Sequence, residues 1–170
     1  AKPGLSLQLR DVIFNQATAE NCPKEGGKCT GHPALLDRNV RLALAHATDK
    51  QSIIDTAMLG LAQPGLTLVA SGQAYWYNNQ IKDYEFDIAK ANQILDDAGY
   101  KDSNGDGVRE MPDGSRPLEF RLQWPTNIPE APRVAELLGQ TWSQIGIKTQ
   151  PQSVDAAALV DLCCPAFDYD

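Results

Sequence analysis

Side chains that suit the buried face of a helix recur every three or four positions in three parts of the chain. These parts are residues 35–59, 87–99 and 129–145, and a shorter stretch at 156–162 is also predicted to be helical. The positions that form the three stripes are Leu36, Val40, Ala43, Leu44, Ala47, Ile54, Ala57 and Met58, then Ile88, Ala91, Leu95 and Ala98, then Val134, Leu137, Leu138, Thr141, Trp142 and Ile145.

Local signals predict where these helices begin and end. Residues 48–51 read Thr-Asp-Lys-Gln, the form of a capping box, so the first stripe is expected to break there and a second helix to begin. Asp87 is expected to cap the next helix, while Pro129 and Pro132 open the last of the three. A glycine is predicted to stop each stripe: Gly60, Gly99 and Gly146.

Four segments alternate apolar and polar residues and are predicted as strands. The clearest is 118–124, where Leu, Phe, Leu and Trp alternate with Glu, Arg and Gln. The segment 147–154 follows, and Pro151 places it at an edge of the sheet. Residues 5–15 alternate more loosely, and residues 167–169 have the composition of the start of a further strand.

Polar stretches rich in glycine, proline or aspartate separate these elements at residues 16–33, 60–85 and 101–117. The order is strand, helices, long loop, helix, strand, helix, strand, helix, which is typical of an α/β domain with helices flanking a mixed sheet. A length of 170 residues suits one core, so a single domain 1–170 is predicted.

The charge and the apolar runs exclude two classes of partner. Fifteen basic and 22 acidic residues give a net charge of −7, which argues against binding to nucleic acid or to anionic membrane surfaces. No apolar run approaches the length of a membrane-spanning helix. The N-terminus has neither an initiator Met nor a signal-peptide core, so the chain is expected to be a processed or excised piece.

The cysteine and histidine residues indicate neither a zinc site nor a catalytic centre. Cys22 and Cys29 flank a polar segment that can turn back on itself, whereas the state of the adjacent pair at 163–164 is left open. The cysteine spacing is not that of a zinc ribbon. His46 is expected to pack within its helix and His32 to be solvated, and no nucleophile motif accompanies them.

The loop from Asp102 to Asp113 carries the sharpest local motif. Its positions 1, 3 and 5 are Asp, Asn and Asp, and position 6 is Gly, as in an EF-hand calcium loop. The alternative is a turn-rich loop whose side chains are solvated or bonded to its own backbone. The predicted Ca²⁺ ligands are the side chains of Asp102, Asn104, Asp106, Glu110 and Asp113 and the carbonyl of Val108.

Six short segments, in order, resemble one protein family. The segment 40–50 is similar to the VRxALxxAxD motif of family 5 solute-binding proteins, the dipeptide- and oligopeptide-binding type. The remaining similarities follow at plausible spacings: Asp87–Gly99 with Tyr100 to the DxxKAxxLLxxAGY helix, Asp106–Glu110 to the GDGxRE loop, Pro117–Phe120 to a strand, Ile145–Ile147 to the IGI turn, and Phe167–Asp168 to the following FD.

The resemblance implies one lobe of a two-lobed binding protein that clamps a solute between its lobes. The matching region belongs to the family's C-terminal lobe, so the chain is expected to be an excised, monomeric fragment. The whole protein would be extracytoplasmic, tethered when full length, and would deliver peptides or similar small solutes to an ABC permease without catalysing a reaction. In such a compartment Cys22 and Cys29 are expected to be disulfide-bonded.

The aromatic residues Tyr75, Trp76 and Tyr77 are the candidate ligand contacts that the resemblance places near the cleft. The simpler interpretation, which we favour at this point, is that they pack against their own lobe, because Trp and Tyr are usually buried. A different class of function, a calcium-loop adhesion or scaffold module of the dockerin type, is the alternative, although that class needs two calcium loops.

Overall fold

The computed structural model describes residues 8–170, in which five α-helices and two β-strands alternate with long connections. A 3₁₀ turn at Pro33–Leu36 precedes the first helix. The elements are α1 (Arg38–His46), α2 (Lys50–Thr56), α3 (Ile88–Asp97), β1 (Glu119–Pro125), α4 (Ala131–Ser143), β2 (Lys148–Val154) and α5 (Ala156–Cys163). None of the helices in this part of the chain has the length and apolar character that a bilayer crossing requires.

Strands β1 and β2 pair in parallel, and α4 connects them. A parallel pair requires a crossover of this kind, since a tight turn can join only antiparallel strands. Glu119 lies opposite Lys148 and forms an ion pair with it at 2.7 Å between Nζ and Oε1. Pro151 lies in β2 opposite Leu122, where the loss of one backbone donor is tolerated at an edge.

The core lies where α1, α3 and α4 pack around the start of the sheet. Trp142 of α4 is buried there, and its indole Nε1 donates to the hydroxyl oxygen of Thr48 at 3.1 Å. The indole N–H of a buried Trp usually has a hydrogen-bond acceptor, and here the Thr48 hydroxyl is that acceptor. The buried residues of this core are Ala34, Leu35, Val40, Ala43, Leu44, Ala47, Ala91, Leu95, Tyr100, Leu118, Phe120, Leu138, Trp142, Ile145 and Ile147.

The first predicted helical stripe breaks as expected, but the capping box is wrong. Asp49, rather than Thr48, is the N-cap of α2, and its Oδ1 accepts from the backbone N–H of Ser52 at 2.9 Å. The Thr48 hydroxyl instead donates to the carbonyl of Leu44 at 2.7 Å. Helix α2 ends at Thr56, before the predicted stop at Gly60.

The later elements are confirmed with small shifts of their bounds. Asp87 caps α3, with its Oδ1 accepting from the N–H of Lys90 at 2.8 Å. Gly99 and Gly146 follow α3 and α4 with φ of +87° and +72°, the left-handed region that glycine enters without strain. Helix α5 runs one residue beyond its predicted end.

Two of the predicted strands are wrong. Residues 8–15 form no strand, and residues 5–7 lie outside the described part of the chain. The Asn15 amide donates to the carbonyls of Phe167 and Tyr169, each at 2.8 Å, so a side chain holds the two segments together. Phe167 has a φ of +49°, which interrupts the extended backbone that residues 167–169 would need as a strand.

The loop at 16–33 is confirmed, and Cys22 is disulfide-bonded to Cys29 within it. The bridge closes a short loop, which in the chain-entropy description contributes about 2 kcal/mol to stability. Backbone bonds from Lys28 and Cys29 to the carbonyl of Ala166 attach this loop to the end of the chain.

The prediction that His32 is solvated is wrong, because this side chain is only 1% exposed. Its Nδ1 accepts from the N–H of Ala34 at 3.1 Å, and its Nε2 lies 3.0 Å from the carbonyl of Pro117. This geometry fits a neutral ring with its proton on Nε2, since a second proton on Nδ1 would face a donor. Burial, and then the charge of Arg116, lower the pKa of His32.

We expect stability to fall as the pH drops from 7.5 to 5. Unfolded His32 takes up a proton near its ordinary pKa of about 6.5, whereas the folded ring, with its lowered pKa, resists it. The His32→Asn variant keeps an acceptor for Ala34 but cannot titrate. Urea midpoints across this range should fall less in the variant than in the parent, and equal slopes would contradict the assignment.

Candidate functional site

The long connection between α2 and α3, residues 57–86, exposes most of the large apolar side chains that face solvent. It has no helix or strand, and we term it the apolar loop. Its exposed large apolar side chains are Leu59, Leu61, Leu68, Tyr75, Trp76, Ile81, Tyr84 and Phe86. A concentration of this kind on one segment is typical of a binding surface rather than of ordinary protein surface.

Both ends of the apolar loop are attached to α1 and α2. At the start, Gly60 has a φ of +71° and its N–H donates to the carbonyl of Ile54 at 2.9 Å. At the end, the carbonyl of Glu85 lies 2.8 Å from Nδ1 of the buried His46, and Tyr84 packs edge-on against that ring. Lys50 of α2 also donates to the carbonyl of Gly65 at 3.2 Å, so the loop is held at several points while its large apolar side chains stay exposed.

The aromatic residues lie in a turn in the middle of the apolar loop. The N–H groups of Trp76 and Tyr77 both donate to the carbonyl of Gln73, and the rings of Tyr75 and Trp76 meet edge to face at 4.8 Å. Tyr75 is 87% and Trp76 71% exposed, so the interpretation that they pack on their own lobe is wrong for both. Tyr77 is partly buried.

Sequence reasoning missed the aliphatic part of this surface. Leu61 and Leu68 are each 81% exposed, more than Trp76. The sequence does contain a signal for it: these leucines stand in a stretch with neither helical nor strand periodicity. Leucines in such a stretch do not belong to the buried face of a helix or a strand.

The acidic loop, residues 102–113, is folded around the side chain of Asp102. Its carboxylate accepts from the backbone N–H groups of Gly105 at 2.7 Å, Asp106 at 3.2 Å and Gly107 at 2.9 Å. The backbone bond from Gly107, with those from Gly105, Asp106 and Asn104, outweighs the opposing effect of burial and lowers the pKa of Asp102. Asp102 is therefore ionised at neutral pH, as a metal ligand must be.

The acidic loop brings together half of the predicted calcium ligands. Carboxylate oxygens of Asp102, Asp106 and Glu110 lie within 4.8 Å of one another. Asn104 lies beside them, with its amide donating to Asp106 at 3.1 Å and to Glu110 at 3.0 Å. An oxygen-only set of this kind suits a hard cation such as Ca²⁺.

The remaining two predicted ligands are the Asp113 side chain, which is engaged in its own turn, and the carbonyl of Val108. The N–H of Val108 donates to Oδ1 of Asp106 at 2.8 Å. Asp113 is not part of the carboxylate group, and its Oδ1 accepts from the N–H and hydroxyl of Ser115. These bonds from Ser115 lower the pKa of Asp113.

Arg109 attaches the acidic loop to the helices. Its guanidinium donates to Oδ1 of Asp96 at 2.6 Å, Oδ1 of Asn92 at 2.9 Å, the carbonyl of Tyr100 at 2.6 Å and the carbonyl of Ile145 at 3.0 Å. Bonds from a charged donor are among the stronger ones in proteins. Together with the bond from the Arg109 N–H to the carbonyl of Gly146 at 2.8 Å, this side chain fixes the position of the loop relative to α3 and α4.

A cavity of about 350 Å³ lies between residues 9–14, β1 and α5. Its lining is mostly apolar and includes Phe120, Trp142 and Leu162. Polar groups at its edge come from Arg121, Gln123 and Asp170.

Comparison with known proteins gives one consistent result. The model of the family "Bacterial extracellular solute-binding proteins, family 5 Middle" matches residues 6–169. The oligopeptide-binding protein AppA of Bacillus subtilis is 31% identical over 140 residues, which are 79% of this chain and 25% of that protein. The heme-binding protein A of Haemophilus influenzae is 33% identical over 121 residues, 69% of this chain and 20% of that protein.

The fold agrees with the sequence similarity. The solved structure of Bacillus subtilis AppA in complex with a nonapeptide superposes with a TM-score of 0.76 at 29% identity, and the match covers 85% of this chain and 29% of that one. The chain thus spans about a quarter of the length of the curated relatives it matches.

Proposed function

The chain belongs to family 5 of the bacterial extracellular solute-binding proteins, and from this membership we propose that it forms part of one lobe of a two-lobed solute receptor. The remaining part of such a receptor, about three quarters of the length of the relatives, would supply the facing lobe. In this proposal the apolar loop faces the cleft between the lobes, and the solute or the second lobe covers it.

The exposure of the apolar loop is the observation that carries this proposal. Leu61, Leu68, Tyr75 and Trp76 leave water only when another surface covers them, and each buried large side chain gains about 1.5–3 kcal/mol. Tyr and Trp suit a solute wall because they supply a large, rigid contact area with few rotatable bonds. Tyr75, Trp76 and Tyr77 are the proposed ligand contacts.

The proposed solute is a peptide or a similar small molecule. The relatives support this class, since AppA is an oligopeptide-binding protein whose structure holds a nonapeptide. The heme-binding relative indicates that the shared fold accommodates more than one kind of solute. In this account the discriminating contacts come from both lobes, so the exact solute depends on residues outside this chain.

We further propose that the whole protein works outside the cytoplasm, tethered to the membrane, and delivers its solute to an ABC permease. The extracellular character of the family supports this location, as does the Cys22–Cys29 disulfide. Binding and release, with no chemical step, would be the function, and no finding supports the dockerin alternative.

For the acidic loop we propose a structural Ca²⁺ ion held by Asp102, Asp106 and Glu110, with Asn104, Val108 and Asp113 completing the predicted set. The proximity of the three carboxylates supports it, because like charges at short range destabilise the loop unless a cation neutralises them. The ion would stabilise the connection from α3 to β1 rather than contact the solute.

Truncating the aromatic pair should weaken solute binding by the two-lobed protein. Tyr75→Ala combined with Trp76→Ala removes the most exposed rings of the apolar loop, and a loss of about tenfold or more in affinity is expected. Calorimetry with a bound peptide measures it. The matched control is Val160→Ala, which truncates an exposed apolar side chain on α5. Equal affinity in both variants would contradict the proposed contacts.

The present chain alone should fold yet bind peptide poorly, because only one wall of the cleft is present. A dissociation constant of about 1 μM, equivalent to about −8 kcal/mol, would require the whole binding energy to come from this lobe and would refute the two-lobed clamp.

Calcium should raise the melting temperature of the chelator-treated chain. At a free calcium concentration of about 100 times the dissociation constant, the free energy of unfolding rises by about 2.7 kcal/mol. Asp106→Ala should lose the calcium response, whereas Asp161→Ala, an exposed carboxylate on α5, should keep it. The comparison is between calcium and chelator within each variant, because Asp106 also bonds the N–H of Val108. An identical melting temperature with and without calcium would show that the loop is only a turn.

A further inference from the structure

Two adjacent cysteines lie at the end of α5, outside the apolar loop and the acidic loop. Sγ of Cys164 lies 3.5 Å from Sγ of Cys163. Cys164 is exposed, whereas Cys163 is partly buried and lines the same cavity as Tyr169. The protein therefore presents a dithiol with one sulfur open to solvent, in the same chain as the Cys22–Cys29 disulfide.

The two cysteine pairs differ in backbone geometry. Bonded cysteines usually have Cα atoms about 4.4–6.8 Å apart, and those of Cys22 and Cys29 are 6.0 Å apart. Adjacent residues joined by a trans peptide have Cα atoms only about 3.8 Å apart. A bond between Cys163 and Cys164 would therefore be strained and easily reduced, whereas Cys22–Cys29 has the spacing of a durable bridge.

The distance between the sulfur atoms nevertheless permits bond formation. Closing the gap of 3.5 Å between the Sγ atoms to a bond of about 2.0 Å needs an approach of about 1.5 Å. Cys164 follows the last residue of α5 and its side chain is exposed, so rotation about its side-chain bonds can bring the two sulfur atoms together. The backbone beyond it stays in place, held by the bonds of Ala166 and Asp168.

We propose that Cys163 and Cys164 form a reversible modification site for small-molecule disulfides, which oxidise the pair to a vicinal disulfide. The ligand class is a low-molecular-weight disulfide that contacts the exposed sulfur. This proposal does not depend on the proposed solute cleft.

The reaction proceeds by two exchange steps. The Cys164 thiolate attacks one sulfur of the small disulfide, forms a mixed disulfide and releases the first small thiolate. The Cys163 thiolate then attacks Sγ of Cys164 and releases the second small thiolate. The two thiol protons end on the two small thiols, so the protein pair is oxidised and the small disulfide is reduced.

The order of attack follows from exposure. Cys164 meets solvent, while Cys163 lies in the wall of the cavity beside Leu162 and Tyr169. Burial raises the pKa of the Cys163 thiol, as does the neighbouring Cys164, so it forms the thiolate less readily. Cys163 is thus the resolving cysteine. Its short distance to Cys164 compensates for its lower tendency to form the thiolate.

The test is incubation of the folded protein with glutathione disulfide, followed by peptide mass spectrometry under non-reducing conditions. The parent protein should lose two hydrogens in the peptide that contains residues 163–164 and retain no glutathione. Cys163→Ser should accumulate glutathione on Cys164, because no resolving thiol remains. Cys164→Ser should react several-fold more slowly, at the partly buried Cys163.

Mild treatment with reduced glutathione should then reopen the pair at 163–164 and leave Cys22–Cys29 intact, which provides an internal control. Three results would overturn the proposal: a parent protein that keeps its glutathione, a parent protein that does not react, or a vicinal bond that survives conditions that open Cys22–Cys29.

Discussion

Burial of a two-stranded parallel sheet is the constraint on which the rest of this structure depends. A pair of strands is marginal by itself, and parallel strands are normally covered by helices on their faces. Leu118, Phe120 and Ile147 supply the buried side chains at the start of the sheet. The helices α1, α3 and α4 cover them, and their apolar stripes are the strongest pattern in the sequence.

Two arginines fix the segments that the helices and strands do not. Arg109 holds the acidic loop against α3 and the end of α4. Arg121 in β1 contacts Asp170 at 3.0 Å and Asp168 at 2.9 Å, and its backbone N–H also donates to Asp170 at 2.8 Å. The carboxylate of Asp170 thus accepts from a backbone N–H of β1 that a third strand would otherwise pair.

In the cluster formed by Arg121, Asp168 and Asp170, the negative charge of Asp168 is stabilised by neighbouring side chains. The Thr30 hydroxyl, Arg121 and Lys28 hold the pKa of Asp168 well below its usual range. Because the folded pKa is the lower one, the stabilisation is present at neutral pH and is lost only as the pH falls below the ordinary value of about 3.9. The cluster therefore joins the 16–33 loop, β1 and the end of the chain under all but strongly acidic conditions.

Periodic patterns predicted α3, α4 and β1 because each of them contains buried residues whose spacing is visible in the chain. Helix α5 and strand β2 were also predicted, although α5 has no buried residue and most of β2 is exposed. The failures lie where one side chain decides the outcome. The Asn15 amide and the positive φ of Phe167 stand where the sequence predicted two strands. His32 is buried through bonds to residues two and 85 positions away, the second of which no local pattern reveals.

The residue types of Tyr75 and Trp76 favour burial, because Tyr and Trp are usually buried in proteins. Only the fold reveals that their segment leaves the core and that both rings are exposed. We propose that the apolar loop faces the solute cleft. Hydrogen exchange of the two-lobed protein with and without bound peptide tests it most directly. We expect slower exchange in residues 57–86 on binding and unchanged exchange in the acidic loop, 102–113. Unchanged exchange in 57–86 with a peptide demonstrably bound would contradict it.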